Sequence, residues 1–267
     1  MRISHEVPLS LLERSKHFND YDYCLPHLLD KYEQYKNFYL QAKQDERFII
    51  MDNGLFEGVT HTTEDLIEKI NLIKPDIFIV PDEWNDSTIT YKNAKYWMNV
   101  IKPQLPAETK LMVVMQGKMA NQIESLYQNC VDLGYTHFAF NHSSVAYQNI
   151  FRHPNPLVNQ MLGRTYMITN LKHDNVIKDS HYIHLLGASL PQEFLNYNTS
   201  YFNFIKSVDT SSPIINGILG IHYDDYGLTT KPSNKIEEFF ENTFEDNMGG
   251  IIFNINKFAD FCKIDLA

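Results

Sequence analysis

Residues 47–80 read RFIIMDNGLFEGVTHTTEDLIEKINLIKPDIFIV, which is an apolar run, a turn, an amphipathic stretch and a second apolar run. Short apolar runs bounded by turn residues predict buried strands, here at 47–51 and 76–80. Between them, THTTEDLIEKI places a Thr cap ahead of acidic residues, which is typical of a helix start. A strand, a helix and a second strand in this order predict a β–α–β unit, and therefore a parallel sheet.

The same alternation continues along the chain. Further apolar runs predict strands at 21–25, 110–115, 136–140, 182–186, 203–208 and 214–221. Amphipathic patterns predict helices at 28–43, 62–73, 88–101, 119–133, 156–171, 191–196, 232–242 and 255–263. About eight such repeats without a long polar linker predict an α/β fold, namely a single-domain (β/α)8 TIM barrel over residues 1–267. A doubly wound open sheet is the alternative.

The composition limits the classes of function. Apolar residues make up 43 % of the 267 residues, and the formal net charge is −10 at pH 7. A protein that binds a long nucleic acid through many phosphates usually carries a basic face. This chain would therefore bind a nucleic acid only through a small local basic patch, or not at all. No apolar run is long enough for a membrane span or a signal peptide. These features predict no membrane partner and a cytoplasmic location.

The cysteines argue against a disulfide framework and a structural zinc. Cys24, Cys130 and Cys262 are far apart and have no CxxC or Cys/His spacing. Such a pattern suits a reducing compartment and thiols that are buried and inert. We therefore expect no metal and no cofactor.

Polar residues or glycines follow six successive predicted strands. They are Asp52-Asn53-Gly54, Asp82, Gln116-Gly117, Asn141-His142, Gly187 and Asp209. In a (β/α)8 barrel the carboxyl ends of the strands meet on one face, where active sites lie. Turn chemistry explains any one of these cases, but the succession predicts a shared site.

Several of these segments, in this order, resemble the tRNA-guanine transglycosylase superfamily, also called queuine tRNA-ribosyltransferases. MDNGLFEG is similar to the D-S-G-G-F-Q element, VMQGK to V-Q-G-G, and HYIHLLGASLPQEFL to H-Y-L-M-G-x-G-x-P-E-D-L, while SVDTSSP lies where the family has G-V-D-x-F-D. The short phage-encoded members, some of them associated with 7-deazaguanines in DNA, are more similar still. The resemblance implies a (β/α)8 barrel that exchanges a guanine-type base for a 7-deazaguanine in DNA or tRNA, in the host cytoplasm if the protein is phage-encoded.

In the reaction that the resemblance implies, a carboxylate traps the sugar carbon C1′ as a covalent intermediate. Asp209 is the candidate nucleophile. The leaving base must gain a proton and the incoming base must lose one, and a carboxyl group with a raised pKa can do both. Asp52 is the first candidate for this acid/base role and Glu57 the second. The reverse assignment, with Asp52 as the nucleophile, stays open.

The base itself would be bound by polar groups at the strand ends. Asp82 can accept hydrogen bonds from N1–H and N2 of a guanine or 7-deazaguanine, and Gln116 can donate to O6. Gly54 would either let the backbone approach the ligand or permit a positive φ. The other candidate substrate-binding residues are Asn53, Gly117, Asn141, His142 and Gly187. A metal held by the three aspartates is the weaker interpretation, because no His or Cys has ligand spacing.

The chain also departs from the tRNA enzymes. Only Cys262 follows Asp209, so the family's three-Cys, one-His zinc site cannot form, and no P-T-R or basic region follows. The second Asp of G-V-D-x-F-D is replaced as well. Two alternatives therefore stay open: a glycosidase or base-exchange enzyme for a free nucleoside or nucleotide, and a non-catalytic partner subunit. The oligomeric state is also open, with a homodimer as one option.

Overall fold

The computed structural model describes residues 1–263. In this part of the chain the strands are β1 (Arg2–Ser4), β2 (Asp22–Cys24), β3 (Ile49–Met51), β4 (Ile77–Ile79), β5 (Lys110–Val114), β6 (His137–Asn141), β7 (Tyr182–Leu186) and β8 (Ile205–Asp209). They form one nearly closed parallel sheet in the order β1-β8-β7-β6-β5-β4-β3-β2, with helices between the strands. The predicted (β/α)8 barrel is confirmed.

α-Helices lie between successive strands, except between β7 and β8, where the connection contains only 3-10 segments. Within residues 1–263 they are α1 (Leu12–Ser15), α2 (Pro26–Lys31), α3 (Glu33–Gln44), α4 (Thr63–Ile73), α5 (Ser87–Tyr96), α6 (Ala120–Asp132), α7 (Val145–Ile150), α8 (Pro156–His173), α9 (Ser212–Ile218) and α10 (Met248–Phe261). The predicted cap of α4 is confirmed, because the Thr62 side chain accepts a hydrogen bond from the backbone N–H of Asp65 at 3.1 Å.

The predicted strand at 214–221 is wrong. This run lies mostly in α9, which has Pro213 in its first turn, where a missing N–H costs no helical hydrogen bond. The eighth strand is instead β1, in which Arg2 pairs with Ser207 and Ser4 with Asp209. A short apolar run does not distinguish a buried strand from a buried helix, and β1 is only three residues long.

Several helix boundaries in the structure also differ from the predicted ones. The helix expected at 28–43 is broken at Tyr32, whose extended backbone separates α2 from α3. The helix expected at 232–242 is reduced to a 3-10 turn at Ile236–Phe239, and the one at 255–263 begins earlier, at Met248. The segment expected at 191–196 is a 3-10 helix, and that at 88–101 ends in a π-helical turn.

The described chain divides into two compact units. The middle unit is Tyr21–Ala139, and the terminal unit is Met1–Asp20 together with the described residues from Phe140 on. In the middle unit, the side chains of β3 and β4 are almost wholly buried, and Trp97 packs on Phe78 with ring centroids 4.9 Å apart. Strands with this degree of burial are typical of a sheet covered by helices.

In the terminal unit, glycines let helices approach each other closely. A Cβ on Gly163 of α8 would lie 2.4 Å from Cβ of Tyr147 in α7, and one on Gly217 of α9 would lie 2.5 Å from Cα of Ile251 in α10. Both distances are shorter than any contact that a side chain tolerates, so these helix pairs require Gly. No helix among residues 1–263 is long and apolar enough to cross a membrane.

Candidate active site

In the middle unit, three predicted site residues form one hydrogen-bonded group, here called the Asp82 cluster (Asn53, Asp82 and Gln116). They follow the neighbouring strands β3, β4 and β5, whose parallel course brings their carboxyl ends together. Asn53 Nδ2 donates to Asp82 Oδ1 at 2.8 Å, and Gln116 Nε2 donates to Asp82 Oδ2 at 2.6 Å. The carboxyl group is thus held between two carboxamides.

Both carboxamides are themselves fixed by the backbone. Asn53 Nδ2 also donates to the carbonyl of Val80 at 3.0 Å, and Asn53 Oδ1 accepts from the N–H of Leu55 at 2.9 Å. Gln116 Oε1 accepts from the N–H of Asn85 at 3.0 Å. The orientation of each amide is therefore determined, and the cluster is preorganised.

The Asp82 cluster keeps hydrogen-bonding capacity for a ligand. A carboxylate offers about four lone-pair sites and an amide NH2 two donors, so Asp82 and Gln116 are not saturated. Burial raises the pKa of Asp82 to about 6, against the opposing effect of the hydrogen bonds from Gln116 and Asn53. Burial therefore changes the proton affinity of a carboxyl group that the sequence assigned to base binding.

The remaining candidates in this unit lie on the same loops. Asp52 is buried directly after β3, and its backbone N–H donates to the carbonyl of Cys24 at 2.9 Å. Glu57 is half-buried in the following turn. Gly54 has a φ of +82°, so the positive-φ alternative holds for it. Gly117 is close-packed, because a Cβ there would lie 3.1 Å from Ile123 Cγ1.

In the terminal unit, Asp209 is the last residue of β8, and neighbouring groups contact one of its two carboxylate oxygens, Oδ1. Oδ1 lies 3.0 Å from Nε2 of His184 and accepts from the N–H of Gly187 at 3.3 Å. No residue of the described chain donates a hydrogen bond to Oδ2. The side chain is only 7 % exposed. An anchored oxygen beside an unengaged one is the arrangement that a carboxylate nucleophile needs.

The positive φ of Gly187, +66°, lets its backbone N–H point toward Asp209. A Cβ at this position would lie 2.7 Å from Nδ1 of His142, so no other residue fits. His142 is a neutral ring, since burial first, and then the charges of Lys231 and Arg164, lower its pKa well below the usual value. Two predicted residues, Gly187 and His142, thus pack against each other next to the candidate nucleophile.

A buried ion pair fixes the backbone around Gly187. Arg164 donates through Nε to Glu193 at 2.6 Å, and both side chains are fully buried. The same guanidinium donates to the carbonyls of Phe140, Leu186 and Gly187 at 3.0–3.2 Å. Arg164 therefore links the carboxyl ends of β6 and β7 through hydrogen bonds and stabilises the turn that contains Gly187.

Several buried polar atoms of this unit have no protein partner. Both amide atoms of Asn141, at the end of β6, and the hydroxyl of Ser4, beside Asp209, are buried without a hydrogen bond among the described residues. Leaving such a group unsatisfied costs about 1–3 kcal/mol. Asn141 was a predicted ligand contact, and a bound polar molecule would satisfy it.

The sequence did not indicate the residues that support Asp209. Lys231 is one: it donates to the carbonyl of Ala188 at 2.6 Å, and burial, followed by the charge of Arg164, lowers its pKa to about 8. His5 is another: burial lowers its pKa to about 4, and Nδ1 lies 3.2 Å from the carbonyl of Thr210. One signal was available, namely His184 within the apolar run YIHLL, where a polar side chain is unexpected.

The three thiols take no part in either group. Cys24, Cys130 and Cys262 are free and buried, and burial raises the pKa of each, that of Cys130 to about 12. A thiol in this state is a poor nucleophile. Within residues 1–263 no three His, Cys, Asp or Glu side chains form a group that could hold a metal ion.

No protein-family model matches the chain, and no curated protein matches it. The resemblance to the transglycosylases therefore stays a prediction.

Proposed function

We propose that the protein is a base-exchange glycosyltransferase that replaces a guanine-type base by a 7-deazaguanine in nucleic acid. The observation that carries the proposal is Asp209, whose Oδ1 accepts from the N–H of Gly187 and lies 3.0 Å from His184 Nε2, while Oδ2 is unengaged. A carboxylate held in this way can attack an anomeric carbon without first breaking its own hydrogen bonds.

The proposed reaction has two half-steps. In the first, Asp209 Oδ2 bonds to C1′ while the C1′–N9 bond breaks, and the departing guanine takes a proton from Asp52. In the second, Asp52 takes a proton from the incoming 7-deazaguanine, whose nitrogen bonds to C1′ while the C1′–Oδ2 ester bond breaks. Splitting one displacement into two retains the configuration at C1′, as in retaining glycosidases.

The Asp82 cluster supplies the proposed recognition of the base. The free lone pairs of Asp82 accept from N1–H and the N2 amine, and the second N–H of Gln116 donates to O6. The unsatisfied amide of Asn141 is a further contact for a polar ligand. Buried groups of this kind discriminate strongly, because a wrong base leaves them unpaired.

The net charge of −10 favours one alternative, a free nucleoside or nucleotide as the substrate. Both substrates use the same residues and the same chemistry. Exchange of labelled guanine, run in parallel on tRNA, double-stranded DNA and free nucleotides, distinguishes them. Exchange with none of the three would count against the enzyme and for the non-catalytic partner subunit.

Two substitutions separate the catalytic roles. Asp209→Asn should abolish exchange and the covalent adduct, while Asp52→Asn should slow exchange by roughly 10²–10⁴-fold through lost proton transfer. Asp179→Asn is the matched control, because the Asp179 side chain is 91 % exposed and pairs with Lys172 on the surface. An adduct that persists in Asp209→Asn but disappears in Asp52→Asn would reverse the two assignments.

A further inference from the structure

In the terminal unit, polar side chains occupy positions that a barrel normally fills with Val, Ile and Leu. Alternate residues of a strand share a face, so Tyr182 and His184 of β7 lie on one face, as do Ser207 and Asp209 of β8. His184 and Ser207 are fully buried. Burying polar groups is costly unless each finds a partner, so their pairing needs an explanation.

These side chains form one continuous line of contacts, here called the Asp209 relay (Arg2, Tyr182, Ser207, His184 and Asp209). Arg2 Nη2 donates to Tyr182 Oη at 3.0 Å, and Tyr182 Oη donates to Ser207 Oγ at 2.9 Å. Ser207 Oγ lies 2.8 Å from Nδ1 of His184, and Nε2 of His184 lies 3.0 Å from Asp209 Oδ1.

The Arg2 end of the relay determines the direction of its hydrogen bonds. A guanidinium only donates, so the Tyr182 oxygen accepts from Arg2 and its own hydrogen points to Ser207. The Ser207 hydrogen is then available for Nδ1 of His184. Because Nδ1 then accepts, a neutral ring carries its hydrogen on Nε2, which lies 3.0 Å from Asp209 Oδ1 in an ion-pair contact that lacks hydrogen-bond geometry. The donor sense is the same at every step from Arg2 to His184.

We propose that the Asp209 relay fixes His184 in its Nε2–H tautomer and makes it the positioning residue of Asp209. His184 then holds Oδ1 in place and keeps Oδ2 directed at its target. This role rests on the proposed function as far as catalysis is concerned, because it assumes that Asp209 is the nucleophile. The tautomer itself is a property of the folded protein and is testable without any substrate.

The first experiment is ¹⁵N NMR of the full-length protein labelled at histidine. We expect His184 to show an unprotonated Nδ1 and a protonated Nε2. Ser207→Ala should change the Nδ1 shift of His184, with a smaller change for Tyr182→Phe, while His173, 82 % exposed and remote in sequence, stays unchanged. A protonated Nδ1 in the unmodified protein, or a His184 signal that ignores Ser207→Ala, would overturn the relay.

The second experiment measures exchange kinetics. His184→Gln retains an N–H donor near the position of Nε2, whereas His184→Leu has none. We expect kcat to fall about ten- to hundredfold in His184→Leu, with KM nearly unchanged, and to recover largely in His184→Gln. Equal losses in both variants, at equal thermal stability, would contradict the positioning role.

The two experiments also separate the two proposals. Absence of exchange in the unmodified protein would count against the proposed function, while the NMR result still decides the relay. Exchange together with the wrong tautomer would leave the proposed function in place and remove the relay.

Discussion

Asp82 is a carboxyl group at which burial and hydrogen bonding act in opposite directions. Two carboxamides donate to it, which stabilises the ionised form, yet burial raises its pKa to about 6. The sequence placed Asp82 in the site because it follows a strand, but it gave no indication of the two neighbours. A side-chain pKa depends on depth and on partners from other strands, which one chain segment does not encode.

For the proposed function, this pKa means that base binding should depend on pH. Only ionised Asp82 has both oxygens available to accept, so guanine affinity should fall as the pH decreases through about 6. We expect a Kd about tenfold higher at pH 5 than at pH 7, and a plateau above pH 7, since each pH unit below the pKa lowers the ionised fraction tenfold. Calorimetric titration with guanine measures this change.

Asp82→Asn is the control for that titration, because an amide does not ionise between pH 5 and 7. Its Kd should be higher and independent of pH. Carboxyl ¹³C NMR gives the same pKa directly, and a midpoint near 3.8, the ordinary value for Asp, would contradict the predicted dependence.

Arg164 contributes to stability through a charge that cannot reach water. Arg164→Met leaves Glu193 as a buried carboxylate without its partner and frees the carbonyls of Phe140, Leu186 and Gly187. Breaking a buried pair from one side costs about 3–5 kcal/mol. Urea unfolding should show a loss of this size, whereas Arg152→Met, at an exposed position, should change the free energy of unfolding by under about 0.5 kcal/mol. A loss in Arg164→Met as small as that of the control would show that the pair is dispensable.

At the scale of elements, periodicity predicted the barrel but misplaced its eighth strand. The β–α–β order was correct from β2 to β8, because each of these strands overlaps a predicted apolar run and extends at most one residue beyond it. The strand prediction for the run IINGILGI was wrong because α9 is buried on almost every side. The sequence of α9 therefore has no polar face that would indicate a helical period. The prediction missed β1 because its three residues form a strand through pairing with β8, and their own sequence pattern does not indicate one.

Gly217 tests how tightly α9 packs on α10. A Cβ there would lie 2.5 Å from the Ile251 backbone, which cannot move aside as a flexible side chain would. Gly217→Ala should therefore lower the free energy of unfolding by about 1–3 kcal/mol, despite the better helix propensity of Ala. Gly249→Ala in α10 is the matched control, because nothing lies within 4 Å of its Cβ position, and it should leave the protein equally or more stable. Thermal unfolding of the two variants in parallel measures both, and equal stability would mean that the helices separate without cost.

At the scale of the whole molecule, the candidate site could be predicted as a list of strand ends but not as two internally bonded groups. A (β/α)8 barrel places functional residues after its strands, so the sequence order was sufficient to select Asp52, Asp82, Gln116 and Asp209 as candidates. The relay behind Asp209 was not predictable, because its members alternate with apolar residues on β7 and β8 and become neighbours only through strand register. Arg2 joins it through β1, the strand that the pattern missed.

The charge of the whole molecule leads to a prediction about nucleic acid. With 33 acidic against 23 basic side chains, the protein repels a polyanion at long range, so binding must depend on few phosphate contacts and mainly on the base. Each neutralised phosphate contributes about −0.9 to the slope of log K against log salt concentration, so we expect a slope no steeper than about −2.

Asp209→Asn protein, which should bind without turnover, allows the slope to be measured by fluorescence anisotropy with a labelled DNA duplex and a labelled tRNA. A slope steeper than about −4 would require an extended basic surface and contradict the charge argument, while no binding of either polymer at low salt, together with exchange on free nucleotides, would make the small-molecule substrate the correct one.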